Sequence, residues 1–258
     1  PEAMAATALF VRAILCRLAR LPFRSPFREW GRALHDRCFL PTVLWSQIAG
    51  ISAWLRRAGL PFDESWLRPV WEFRFPILGR LPTSHGDIVF RQALEAWPLL
   101  SDLATASPTA RPVDSSLDRI EASVPADALD RGALLVNGRR LPLRLGGGTG
   151  LAAVRYRAFH LQPGLHPHIP AQGPLTFEWV GQTDGRVHAA ARYHALHPRG
   201  ASYPDLPADE QEAARRRAQR WIPLPASRGQ AKAVPPLPAR HRGFTLDLRH
   251  CAPVPAAT

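Results

Sequence analysis

Lysine is almost missing from this 258-residue chain. Lys232 is the single one among 33 basic residues, so arginine carries nearly all the positive charge. The formal net charge is +12 and Ala and Pro abound, a skew that points to a GC-rich coding bias rather than a surface shaped for nucleic acid. The basic excess still favours anionic ligands such as phosphates, without naming one. Cysteine is scarce too. Cys16, Cys38 and Cys251 are odd in number and widely spaced. No CxxC pair suggests zinc and no even framework suggests a secreted disulfide scaffold, so a reduced, cytoplasmic setting is expected. Long apolar runs are absent. The longest, "MAATALFVRAILC", is broken by Arg12 and followed by Arg17, which excludes a membrane span, and no cleavage site makes it a signal peptide. There is no GxSxG, no cysteine in a nucleophile context and no internal repeat. What is present is apolar bulk. The chain is 46% hydrophobic with eight Trp and eleven Phe, which supplies a substantial core and argues against disorder.

Residues 2–60 read as helices. Leu9, Phe10, Ala13, Ile14 and Leu18 form one stripe at 3–4 spacing. Ser25-Pro26 offers a cap and first-turn proline for a helix through "PFREWGRALHDRC". Pro41 starts another, with Leu44, Ile48, Ile51 and Leu55 on one side, and Gly59 and Pro61 close it. Arg12, Arg17, Arg20, Arg24, Arg28 and Arg32 read as a solvated face, because no base-stacking or groove-reading motif accompanies them. From Val70 the period changes to two. "VWEFRFPI" and "GDIVFRQALEAW" read as paired strands, and "ALLVNGRRLPL" carries the hairpin signal Asn137-Gly138. "AAVRYRAF", "PLTFEWV" and "RVHAAARYHAL" continue the alternation, with a turn at Asp184-Gly185, and together they predict an antiparallel sandwich. A helix in "DEQEAARRRAQRW", a Pro-rich linker over 222–243 and a closing strand "FTLDLR" complete the reading.

Few residues group into chemistry. "LGGGTG" lies between strands, whereas a phosphate loop wants a helix behind it, so a connection is expected there. His160, His166 and His168, and His194 and His197, form two clusters, yet no carboxylate or cysteine lies near them in sequence, so structural roles are favoured over a metal. Arg155, Arg157 and Arg192 would bind an anion or solvate an outer face, and the second reading is preferred. In "VWEFRFP", a strand would place Glu72 and Arg74 on one face and Trp71, Phe73 and Phe75 on the other. That pair is either a cross-strand salt bridge, joined by Arg91 and Glu95, or chemistry that needs a carboxylate beside a guanidinium. ATP-dependent carboxylate activation is such chemistry.

"WEFRFP" resembles the late Glu-x-Arg strand of glutamine synthetase-fold ligases. More broadly, "WGRALHDRCFLP", "WEFRFPILG", "RQALEAW", "VDSSLDRIEASV", "NGRRLPL", "VRYRAFH", "LHPHIP", "PLTFEWV", "RYHALHP" and "FTLDLR" resemble, in order, the C-terminal region of an amidoligase domain found behind a transglutaminase-like domain in large bacterial proteins. The resemblance implies ATP and Mg2+ as cofactors, with Glu72 as a metal ligand, Arg74 catalytic at phosphate or substrate, and Arg91 at the nucleotide. It implies a peptide or amino-acid substrate, and as partners the upstream catalytic and transglutaminase-like domains. One departure is Val89, where the family tends to have Glu.

The expected architecture is therefore α+β. Helices and a β-hairpin (1–83) close a glutamine synthetase-like catalytic domain, an antiparallel β-sandwich follows (84–205), and a helix, linker and closing strand (206–258) end the chain. The opening Pro1 is read as the start of a fragment that is inactive alone. The rival reading is a non-catalytic β-sandwich binding module for a peptide, glycan or partner protein. Nucleic-acid binding through the basic helices is a third, weaker alternative, and no membrane role is expected.

Overall fold

The computed structural model describes residues 2–100, 112–160, 165–166, 168–200, 203–226, 231–238 and 241–251. Two compact units divide between Pro76 and Ile77. A boundary at 83/84 would instead separate the paired strands of a hairpin.

In the first unit, α1 (Glu2–Arg20) presents Phe10, Ala13 and Ile14 to Leu55, Phe62 and Leu67, as the 3–4 stripe requires. Ser25-Pro26 starts no helix. Residues 21–30 are irregular, and α2 covers only Leu34–Cys38. A start signal needs an apolar face behind it to repay nucleation, and Phe27 is 94% exposed. α3 (Pro41–Arg57) does begin at its proline, with Gly59 beyond its end at φ +75°. Asp63 then caps a short 3-10 turn, accepting from the Ser65 N–H at 2.8 Å, and α4 (Arg68–Arg74) follows with proline in its first turn.

The second unit holds two sheets. Its strands are β1 (Ile77–Thr83), β2 (Gly86–Gln92), β3 (Leu117–Val124), β4 (Gly132–Val136), β5 (Arg139–Arg140), β6 (Arg144–Gly146), β7 (Thr149–Arg157), β8 (Leu175–Gly181) and β9 (Val187–Tyr193). After α5 (Glu210–Gln219) come β10 (Trp221–Leu224), β11 (His241–Arg242) and β12 (Thr245–Asp247). One sheet runs β1-β2-β3-β7-β12-β11 with β6 also on β7; the other runs β10-β9-β8-β4-β5. The inward side chains of both sheets form one core, in which Phe90 of β2 meets Phe177 of β8 at 4.5 Å between ring centroids. Asn137 and Gly138 turn the β4–β5 hairpin at φ 45° and 72°, the conformation a two-residue primed turn demands. The glycines of "LGGGTG" likewise turn β6 into β7.

Two expectations need correction here. The sandwich is not wholly antiparallel, because the closing strand β12 pairs parallel to β7. The start of the supposed linker is structured, since Trp221–Leu224 adds to β9 as an edge strand. Its remaining described residues are partly anchored as well: Lys232 donates its backbone N–H to the Gly185 carbonyl, and its ammonium pairs with Glu178 at 2.5 Å. Residues 227–230 and 239–240 of that stretch, like Pro1, lie outside the described residues.

Candidate functional site

Most of the stretch "VWEFRFP", through Arg74, is helical, and that changes its chemistry. Trp71 and Phe75, four residues apart, are both buried, with ring centroids 5.9 Å apart; Trp71 also donates its indole N–H to the Pro41 carbonyl at 3.2 Å. Phe73 is 85% exposed, so the expected apolar strand face does not form. Residues two apart on a helix diverge by about 200° around its axis. Glu72 and Arg74 therefore do not share a face. Both are exposed, and neither is hydrogen-bonded or ion-paired to another described residue. Arg91 lies in the other unit, on β2, in register opposite Glu121 of β3. The expected trio is not assembled into one site by either unit.

The concentrated charge lies elsewhere, on the outward face of the seven-stranded sheet. Alternation along β3 and β7 sends Ile120, Ala122, Val154 and Tyr156 into the core and turns Arg119, Glu121, Arg155 and Arg157 the other way. Arg155 and Arg157 were expected to solvate an outer face. Instead Arg157 is buried and Arg155 mostly so, because loops fold over them. The Glu95 side chain, 1% exposed, accepts from Arg119 at 3.0 Å and also pairs with Arg155. Asp247 of β12 takes a two-pronged contact from Arg249, at 2.9 and 2.6 Å, and lies 3.8 Å from Arg155. Arg157 donates to the carbonyls of His166 and Ile169 at 2.7 and 2.8 Å, and its far nitrogen stands 4.0 Å from Asp114. Asp114 is fixed in turn by Ser116 and by the Leu165 N–H.

These surroundings set the titration of the carboxylates. Burial works against the charged form of Asp247, but hydrogen bonds and charge from Arg249, then Arg155, prevail and lower its pKa. Asp114 is lowered as well: burial opposes its charged form, but hydrogen bonds from Ser116 and the Leu165 N–H, with the charge of Arg157, together prevail. On the core side of β3, burial dominates at Asp118 and raises its pKa, despite hydrogen bonds from the Arg119 N–H, Gln92 and Tyr156. Between Asp114, Leu117, Arg157, Ile169 and Arg249 lies a half-open depression of about 10 Å³, measured to the centre of a water molecule. That is room for about one water, far too little for a nucleotide. Two atoms in this cluster are left over: Nε of Arg155 and Nε of Arg157 are buried without a hydrogen-bond partner among the described residues.

No group of three or more His, Cys, Asp or Glu could hold a metal among the described residues. In the histidine clusters, His197 accepts from the Arg199 N–H, and burial, then Arg192, lowers the pKa of His194. No helix of the described residues is long and apolar enough to cross a membrane. Glu95, Asp114, Arg119, Asp247 and Arg249 were missed as a group. The available signal was the outward period-two arginines of "RYR" together with the Asp-x-Arg of "FTLDLR".

Fold and site thus define a mixed α+β chain with a helical unit and a two-sheet unit, in which loops cover the charged outer face of one sheet. The model of a family described as "Putative amidoligase enzyme" matches residues 2–249, and the chain belongs to that family. No curated protein and no solved structure matches it.

Proposed function

We propose that this chain serves an ATP-dependent amidoligase of the glutamine synthetase-like type, which joins a carboxylate to an amine through an acyl phosphate. The observation that carries the reading is the family match along residues 2–249. In this reading the partners are upstream catalytic and transglutaminase-like domains, the substrate is a peptide or amino acid, and the setting is cytoplasmic. Glu72 can supply one oxygen to Mg2+, an ion that binds through one or two carboxylates and keeps several waters. Arg74 would face phosphate or substrate, and Arg91 the nucleotide. The contribution of the chain's own residues is charge: an exposed carboxylate on α4, and guanidinium groups that attract anions.

The test is amide formation with release of ADP, measured in the natural polypeptide that carries this chain, with Glu72→Gln and Arg74→Lys variants. Glu72→Gln should lose Mg2+-dependent turnover while its melting temperature stays put. Arg74→Lys should lose turnover too, because lysine keeps the charge but not the planar fork. Equal turnover in wild type and Glu72→Gln would remove Glu72 from the site. Failure of every carboxylate and amine pair to promote ATP hydrolysis would remove the ligase reading.

A second reading, a binding module, is favoured by the sandwich itself. Trp97 is 52% exposed and is held by its indole hydrogen bond to the Leu117 carbonyl at 3.0 Å, beside the arginine-lined depression.

A further inference from the structure

We infer that the outward face of α1 is a docking seam for an acidic amphipathic helix of a partner protein. The inference does not depend on the ligase reading; it rests on the first unit alone.

The first support is unfinished packing. α1 is apolar on opposite sides of its axis. Ala6, Phe10, Ala13 and Ile14 pack against the cluster of Leu55, Phe62 and Leu67. Met4, Ala8, Val11 and Leu15 lie on the other side and are exposed. A helix that is apolar on every side is normally buried, yet none of the 19 residues of α1 is fully buried. This chain leaves the helix half covered.

The second support is spacing. Met4, Ala8, Val11, Leu15 and Leu18 recur in steps of four, three, four and three. That is the repeat by which one helix meets another along a seam. A helix lying in a membrane surface anchors instead with Trp, Phe and Leu, whereas Phe10, the one aromatic residue of α1, is turned inward. The exposed Phe23 and Phe27 lie beyond the helix and stack on each other, 6.0 Å between centroids.

The third support is charge. Arg12 flanks the seam, where paired helices exchange charges. Glu2, the one acid of α1, is two residues from Met4 and so about 200° away around the axis. Arg20 at the end of the helix, and Arg24 and Arg28 beyond it, are exposed as well. A second copy would bring the same arginines and no acid to the seam, so like charges would meet. The complementary partner carries Asp or Glu beside an apolar stripe.

The experiment titrates the 258-residue chain into labelled synthetic peptides, each about three heptads long with Leu along the seam. One peptide carries Glu at the flanking positions and the other Lys. The wild-type chain should bind the Glu peptide saturably and the Lys peptide about tenfold more weakly. Val11→Gln and Leu15→Gln should each weaken the Glu peptide about tenfold. Both side chains are exposed, so the melting temperature should hold. Arg12→Glu should reverse the preference between the peptides. No binding, equal binding of the two peptides, a preference that survives Arg12→Glu, or binding that either glutamine variant leaves undiminished would overturn the inference. Self-association of the chain alone that Leu15→Gln abolishes would overturn it in favour of a second copy. Binding to phosphatidylserine vesicles that Leu15→Gln abolishes would overturn it in favour of a membrane surface.

Discussion

Several arginines of the first unit and the buried arginines of the second are held in opposite ways. In the first, guanidinium groups lie on aromatic rings: Arg17 is 5.0 Å from the Trp54 centroid, Arg37 is 4.9 Å from Trp30 and Arg68 is 3.8 Å from Trp45. In the second, Arg119, Arg155, Arg157 and Arg249 lie near carboxylates, and Arg119 and Arg157 are almost fully buried. A ring offers a cation attraction without a countercharge and tolerates nearby water. A buried carboxylate pair is bound far more tightly to its own integrity, because removing one member strands the other. An arginine over a ring of the first unit is therefore more replaceable than one in the buried pairs of the second.

The sharpest way to break this contrast is Glu95→Gln, which leaves Arg119 and Arg155 facing a neutral amide. We expect a loss of about 3–5 kcal/mol in urea unfolding of the second unit; a loss below about 1 kcal/mol would mean the network behaves like a surface pair.

Acid titration should expose the next largest difference. Asp118 holds its proton more tightly folded than unfolded, so its contribution is fully present below the unfolded value of 3.8 and is lost as pH rises through the raised folded value. Asp247 runs the other way: its contribution is present above 3.8 and lost as pH falls through the lowered value. The melting temperature of wild type relative to Asp118→Asn should therefore fall as pH climbs above about 4, and a flat difference would show that Asp118 is not held in its acid form.

Smaller effects belong to the first unit. Arg68→Gln should cost only about 0.5–1 kcal/mol, the worth of its place over Trp45. Glu72→Gln should change stability by less than about 0.5 kcal/mol, since its carboxylate is exposed and has no described partner. A larger loss would mean that Glu72 is structural.

What could be read from residues alone follows the range of the forces involved. Pro41, Gly59, Asn137-Gly138 and Asp184-Gly185 act through their own backbone, and each marks the start, end or turn it promised. The α+β character and the inward face of β7 also followed from local period. "VWEFRFP" misled because its alternation of large apolar and charged residues is visible, whereas the deciding facts are the Asp63 cap, the Pro69 start and the space that buries Trp71 with Phe75. Arg155 looked solvated because its partner Glu95 lies 60 residues away. No local pattern announces a loop that will later fold over a sheet.

The parallel pairing of β12 with β7 has a consequence for synthesis. Thr245, Leu246 and Asp247 stand beside Ala153, Val154 and Arg155, so a growing chain must hold β7 with one flank open while about ninety further residues emerge. During that interval, a stretch of β7 exposes unpaired backbone groups, a surface on which chaperones or other nascent chains can pair. The rate at which the ribosome passes from Arg157 to Asp247 thereby becomes a determinant of yield, and slowing translation over that stretch should increase aggregation before it affects any property of the finished protein.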